Sequence, residues 1–378
     1  MINKNRLIKL TQKVISYDSQ NPPGNELALS KFIEKDMRSL GLEVKLYTFA
    51  RNRPNIVATL KGNSPEAKRK SILLTPHFDT VPFGGGWKYH PLSGKIHGGK
   101  IFGRGASDDK GNLASCMELM RSLVEEGFRP RKDIIMAATV DEETGSHDGI
   151  IPLLDKKILK PHFALVMDSD GFDTIIAQKG LIHARIQIFG KKAHGAYNWR
   201  GVNAIEIAAR IINKLKVHQF KYKKHALLHP PTKNLGVIKG GDKVNMVCDF
   251  CEFALDTRYL PGMKHDYVLG EIKKIIRSET KRFKIIIDDA QQSYEIDAKH
   301  PYVKLYVDTA KKMRASAHIK ASEGATVITF FKKHGIPAFA TGYGSHGTAH
   351  TTDEYIHIEP LYRGTKFLEE YIKRYDQL

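Results

Sequence analysis

The chain has 378 residues, 41% hydrophobic and 27% charged, enough for one large core and a second, smaller one, which excludes a solvated tail or scaffold. Its formal net charge of +19 raises nucleic acid as a partner, but the lysines are scattered and aromatics are not regularly interleaved with them, so we expect a solvated basic surface and no nucleic-acid interface. Three cysteines cannot frame disulfides in a chain this long, the first residues lack a signal-peptide core, and no apolar run approaches the roughly 18 residues of a membrane span; these features predict a cytoplasmic protein without a membrane partner.

From residue 1 to about 175, helical stretches at 26–40 and 111–126 alternate with short apolar runs at 72–74, 134–140 and 163–167. This order predicts an α/β fold with a mainly parallel sheet flanked by helices. Between about 178 and 290 the order becomes strand (184–189), helix (202–215), strands (235–239 and 247–255), helix (265–280), strand (284–288). This is the βαββαβ, ferredoxin-like order of a small two-layer α+β domain. Cys248 and Cys251 fall in this stretch, where strand alternation would send them to opposite faces as structural residues. After 290 the first pattern resumes, with helices at 302–314, 325–333 and 360–375 and a strand at 338–341. We therefore expect a discontinuous catalytic domain, 1–177 plus 291–378, interrupted by an inserted domain, 178–290.

Candidate ligands recur just beyond the apolar runs, where open α/β sheets assemble their sites. His77 and Asp79 follow the first run, Glu142 and Glu143 the second, Asp168 the third, and His350 the strand at 338–341. With Asp108, in Gly-Arg-Gly-Ala-Ser-Asp-Asp-Lys-Gly at 103–111, the set His77, Asp108, Glu143, Asp168 and His350 suits two divalent ions, zinc favoured and cobalt or manganese tolerated. Three carboxylates and a hydroxide carry four negative charges, which two divalent cations balance. Asp108 is the expected bridge between the ions and Asp109 the alternative, while Asp79 suits orientation of a ligand histidine. Glu142, beside Glu143, can take a proton from the attacking hydroxide's water and pass it to a leaving nitrogen, which is amide hydrolysis.

The segments Pro-His-Phe-Asp-Thr-Val-Pro at 76–82, 103–111, Asp-Glu-Glu-Thr-Gly at 141–145 and Ala-His-Thr-Thr-Asp-Glu at 349–354, with Ser-Gln-Asn-Pro-Pro-Gly at 19–24, resemble the M20 metallopeptidase family over essentially the whole chain. The resemblance implies that His77 and Asp168 bind one zinc, that Glu143 and His350 bind the other, and that Asp108 bridges them. It implies Glu142 as base, Asp79 as the orienting group and a cis peptide between Asp108 and Asp109. It further implies a lid or dimerisation role for the inserted domain and a homodimer in which His194 stabilises the oxyanion, with Asn245 and Arg258 holding the substrate's carbonyl and carboxylate. The expected reaction is hydrolysis of a small N-acyl amino acid, of the deacetylase or desuccinylase type. A dipeptidase or aminopeptidase on the same site is the alternative, and a phosphoesterase or a non-catalytic basic binding protein is more remote.

Three departures touch specificity. Many deacylases of the family have Glu at the position of Asp168, while several of its peptidases have Asp. The usual Gly-Gly-Thr-Asp loop reads Glu-Gly-Ala-Thr at 323–326, and Cys248 stands where a proline is frequent.

Overall fold

The computed structural model describes residues 1–65, 70–315 and 317–378; Lys68, one of the scattered lysines, lies outside them. The chain divides into two compact units, one of residues 1–176, 296–320 and 330–378, the other of 177–295 and 321–329.

In chain order the first unit begins with α1 (Lys4–Ile15), α2 (Leu27–Ser39), β1 (Glu43–Ala50), β2 (Arg53–Leu60), β3 (Ile72–Thr75), β4 (Lys95–His97), β5 (Lys100–Phe102) and α3 (Lys110–Glu125). It continues through β6 (Ile134–Ala138), α4 (Ile150–Asp155), β7 (Phe163–Met167) and β8 (Asp173–Gln178), the last leading out of it. The second unit holds β9 (Gly180–Phe189), α5 (Ala204–Val217), β10 (Thr232–Gly240), β11 (Phe250–Tyr259), α6 (His265–Arg277), β12 (Phe283–Gln291) and β13 (Tyr294–Glu295). Then follow α7 (Pro301–Lys312), β14 (His318–Ser322), α8 (Ile328–Lys333), β15 (Ala338–Thr341), β16 (Tyr355–His357) and α9 (Ile358–Asp376).

The main sheet runs β1-β2-β6-β3-β7-β15-β8-β13, with β14 against β8. Its centre, β6-β3-β7-β15, is parallel, and β1, β2 and β8 join antiparallel, so the fold is α/β with a mostly parallel core flanked by helices. Every residue of β3, β7 and β15 is buried, which is why these strands read as unbroken apolar runs: a strand covered on both faces has no reason to alternate. The hairpin of β1 and β2 extends the sheet beyond the expected strands. β1 alternates weakly, with Glu43, Lys45 and Tyr47 set against Val44 and Leu46, because an edge strand needs only one apolar face.

Two helices are capped as their sequences require. Asn3 accepts the Arg6 N–H ahead of α1, and Asn203 accepts the Ile205 and Glu206 N–H groups ahead of α5. Four of the second unit's strands form a sheet ordered β10-β11-β9-β12, all antiparallel, with Ile207, Ala208 and Ile211 of α5 and Val268, Ile272 and Ile276 of α6 buried in its core. One local expectation is corrected: Cys248 precedes β11 instead of lying in it. Its thiol donates to the Phe250 carbonyl, and it is buried in the same cluster as Cys251, since alternation applies only within a strand.

Candidate metal centre

Four strand ends of the first unit deliver the site. His77 and Asp79 follow β3, Glu142 and Glu143 occupy a 3-10 turn after β6, Asp168 follows β7, and His350 lies in the loop after β15. Two groups of potential ligand atoms form, His77 with Asp108 and Asp168, and Asp108 with Glu143 and His350, the atoms of each within 4.8 Å of one another. Asp108 is common to both. Its Oδ1 lies 2.9 Å from His77 Nε2 and its Oδ2 3.1 Å from His350 Nε2, which is also 3.1 Å from Glu143 Oε2.

These separations fit a metal. A tetrahedral ion with ligands at about 2.0–2.2 Å spaces its donor atoms by roughly 3.3–3.6 Å, so small outward shifts would admit a cation to each group. The charges fit as well. Hydrogen bonds to Asp108 and Glu143 push His350 up to about 10. Burial opposes protonation of His77, yet hydrogen bonds to Asp108 and Asp79 outweigh it and hold His77 well above the usual imidazole range. Asp168 is pushed up to about 7, by burial first and then by Asp108. These shifts record crowded carboxylates, the electrostatic demand that two divalent ions would meet.

Asp109, the alternative bridge, belongs to neither group. Its Oδ2 accepts the His77 N–H at 3.1 Å and its Oδ1 the Asn112 amide at 2.6 Å, so both oxygens are committed to holding the turn. The peptide between Asp108 and Asp109 is cis.

Asp79 does more than the spacing suggested. Its Oδ1 lies 3.4 Å from His77 Nδ1, while the two carboxylate oxygens accept the N–H groups of Glu142 and Glu143, each at 3.1 Å. It is fully buried, and the Asn21 amide donates to it at 2.9 Å. One carboxylate thus ties the β3 loop to the acidic turn and aims two consecutive glutamates. Glu142 is raised well above the usual carboxylate range, by burial first and then by Asp168 and Glu143 against an opposing effect of His77.

Asn21 and Glu354 are neighbours of the candidate ligands that spacing alone did not single out. Glu354 is buried, and its oxygens accept the N–H groups of Gly105, Ser107 and Asp108 and the Arg104 guanidinium. It cradles the turn that presents Asp108. The available signal was its place in the same short segment as His350. Gly149 matters beside the acidic turn because a Cβ there would sit 2.1 Å from the Val140 carbonyl oxygen.

His194, Asn245 and Arg258 belong to the second unit. His194 is exposed and its Nδ1 accepts the Ala196 N–H at 3.1 Å, which leaves Nε2 as the protonated nitrogen of the neutral ring. Asn245 is exposed and its carbonyl accepts the Gly195 N–H at 2.8 Å, so these two sites share a loop pairing. Arg258 is engaged by Asp256, Nε to Oδ1 at 2.8 Å and Nη2 to Oδ2 at 3.2 Å. The fork expected to hold a substrate carboxylate thus holds an internal one.

A model of peptidase family M20/M25/M40 matches residues 73–374. Over 97% of its length the chain is 27% identical to acetylornithine deacetylase of Vibrio cholerae serotype O1, covering 96% of that protein. It is 29% identical to the acetylornithine deacetylase of Yersinia pseudotuberculosis, with 94% and 93% of the two chains covered. Among solved structures, aminopeptidase PepT of Bacillus cereus superposes with a TM-score of 0.84 at 25% identity, covering 99% of both chains.

Proposed function

The chain belongs to peptidase family M20/M25/M40 and is a hydrolase of amide or peptide bonds, and from this premise we propose that it uses two divalent metal ions, zinc foremost, to hydrolyse the amide of a small N-acyl amino acid. The observation that carries the reading is the sharing of Asp108 by two adjacent ligand groups. When bound, two such cations supply a Lewis acid for the carbonyl and lower the pKa of a water between them.

The chain's own residues supply the rest. His77 and Asp168 would hold one ion and Glu143 and His350 the other, with Asp108 common to both. Glu142, aimed by Asp79 through its N–H, takes the proton from the attacking water and hands it to the leaving nitrogen. The proposal includes a cytoplasmic homodimer whose inserted domain serves as a lid or dimerisation element. His194 of the partner subunit would stabilise the oxyanion, Asn245 would hold the carbonyl, and Arg258, released from Asp256, would hold the substrate's carboxylate.

A second reading, an aminopeptidase or dipeptidase on the same residues, is favoured by Asp168, the residue of several peptidases of the family, and by the likeness to PepT. One experiment decides: amine release by the zinc-loaded protein across N-acetyl and N-succinyl amino acids and dipeptides. Turnover confined to acylated substrates supports the first reading, turnover of free dipeptides the second. No turnover of any amide by a protein holding two ions per chain would overturn both.

A further inference from the structure

At the opposite ends of the same strands lies a cavity that the reaction does not use. It has a volume of about 690 Å³, within the roughly 300–1,000 Å³ of small-molecule sites, and it opens where β7 and β15 begin, whereas the metal centre lies beyond their ends. Its polar lining is Lys157, Lys160, His162, His300, His334 and Tyr302. Among the described residues that line it there is no carboxylate. Asp155, just outside, is committed to His334 Nε2 at 3.0 Å and Lys333 at 2.9 Å. Leu154, Leu159 and Ile336, all buried, supply apolar wall.

Lys157 is the telling residue. It follows the last turn of α4 with φ +57°, its N–H bonded to the Leu154 carbonyl and the next N–H to that of Leu153. This is the left-handed helix ending at which glycine is ordinarily found, because a Cβ is strained there. A lysine thus stands at this turn, among the residues that line the cavity.

Among the other polar groups, His300 adds a donor. His300 caps α7, its Nδ1 accepting the Tyr302 N–H at 3.3 Å, so the neutral ring presents Nε2–H as a donor. The N-terminus of this 12-residue helix adds partial positive charge. His162 and His300 both pack against the Tyr302 ring, at centroid distances of 5.8 and 5.0 Å, forming an aromatic face.

We propose that this cavity is a second binding site, for a small phosphomonoester carrying a planar ring. Compact ammonium groups and an imidazole donor suit a phosphoryl group. Tyr302, the imidazole rings and the apolar wall suit the ring.

The test is equilibrium dialysis of the full-length, metal-loaded protein with adenosine monophosphate, adenosine and inorganic phosphate. Saturable binding of the monophosphate is expected, with the nucleoside and free phosphate each at least about tenfold weaker, because each supplies one of the two contacts. Lys157→Gly should weaken binding about tenfold, the worth of one charge-assisted hydrogen bond, while leaving the melting temperature equal or higher, since glycine accepts that φ. Lys160→Glu, at an exposed position, should weaken it at least as much, and amide hydrolysis should be unchanged in both variants. Binding no tighter than that of phosphate alone, or equal in wild type and both variants, would overturn the proposal, the latter locating the anion at the metal centre.

Discussion

The glutamate at 142 and its neighbour at 143 differ in proposed role only through what surrounds them, and this is testable. Glu142→Ala should lower kcat by roughly 10²–10⁴-fold while two ions remain bound, which pairs a rate assay with metal analysis. Loss of metal together with activity would instead make Glu142 a ligand. Asp79→Asn keeps the shape but turns an amide NH₂ toward one of the two backbone N–H donors, which loses its acceptor. We expect a fall of about 10–100-fold in activity or metal affinity. Unchanged kinetics would mean that the acidic turn needs no such support. At this scale the candidate ligands other than Asp108 were legible in the sequence because each follows an apolar run. The second duty of Asp79 was not, since nothing in its spacing says that its carboxylate meets backbone donors 63 and 64 positions away.

At the scale of elements, α9 packs against the loop after β15, and Gly364 shows which effect wins there. Helix propensity alone would have alanine stabilise an interior glycine position by about 1 kcal/mol. A Cβ at Gly364, however, would stand 2.2 Å from the ring of Tyr343, which is fully buried. Gly364→Ala should therefore destabilise by about 1–3 kcal/mol, read as a lower urea midpoint; a raised midpoint would show that the ring can move aside. The buried parallel strands were legible as apolar runs, β7 and β15 to the residue. Ends of helices were less so: the stretch expected at 325–333 is helical only over Ile328–Lys333, because fraying ends leave little mark in the pattern.

For the molecule as a whole, stability should track what it binds and which groups it buries. A ligand at about 100 times its dissociation constant adds about 2.7 kcal/mol, so exhaustive chelation should lower the melting temperature by several degrees. An unchanged melt in protein proven metal-free would count against the metal centre. Tyr259, 1% exposed, is pushed up to about 12 by burial, and its hydroxyl donates to the Gln291 carbonyl. Its unfolded value is near 10. The buried neutral phenol thus contributes stability that is fully present below about pH 10 and is lost as pH rises through about 12. Wild type should lose about 2–3 kcal/mol more than Tyr259→Phe across that window, measured by denaturant titration at each pH. Parallel losses in both would assign the alkaline transition to other groups. No helix among the described residues is long and apolar enough to cross a membrane.

The sequence by itself determined the elements and the chemistry available to them. Strand and helix periodicity follow from local geometry, and a strand's end marks where a ligand can be presented. Only the tertiary structure decided which groups meet. That Asp108 and not Asp109 is shared by both ligand groups, that Glu354 cradles the turn, that Asp256 occupies the fork of Arg258, and that a cationic cavity opens at the far ends of β7 and β15 all depend on contacts between distant segments. Hydrogen bonds and fields act over a few ångströms in space, and position along the chain does not carry that distance.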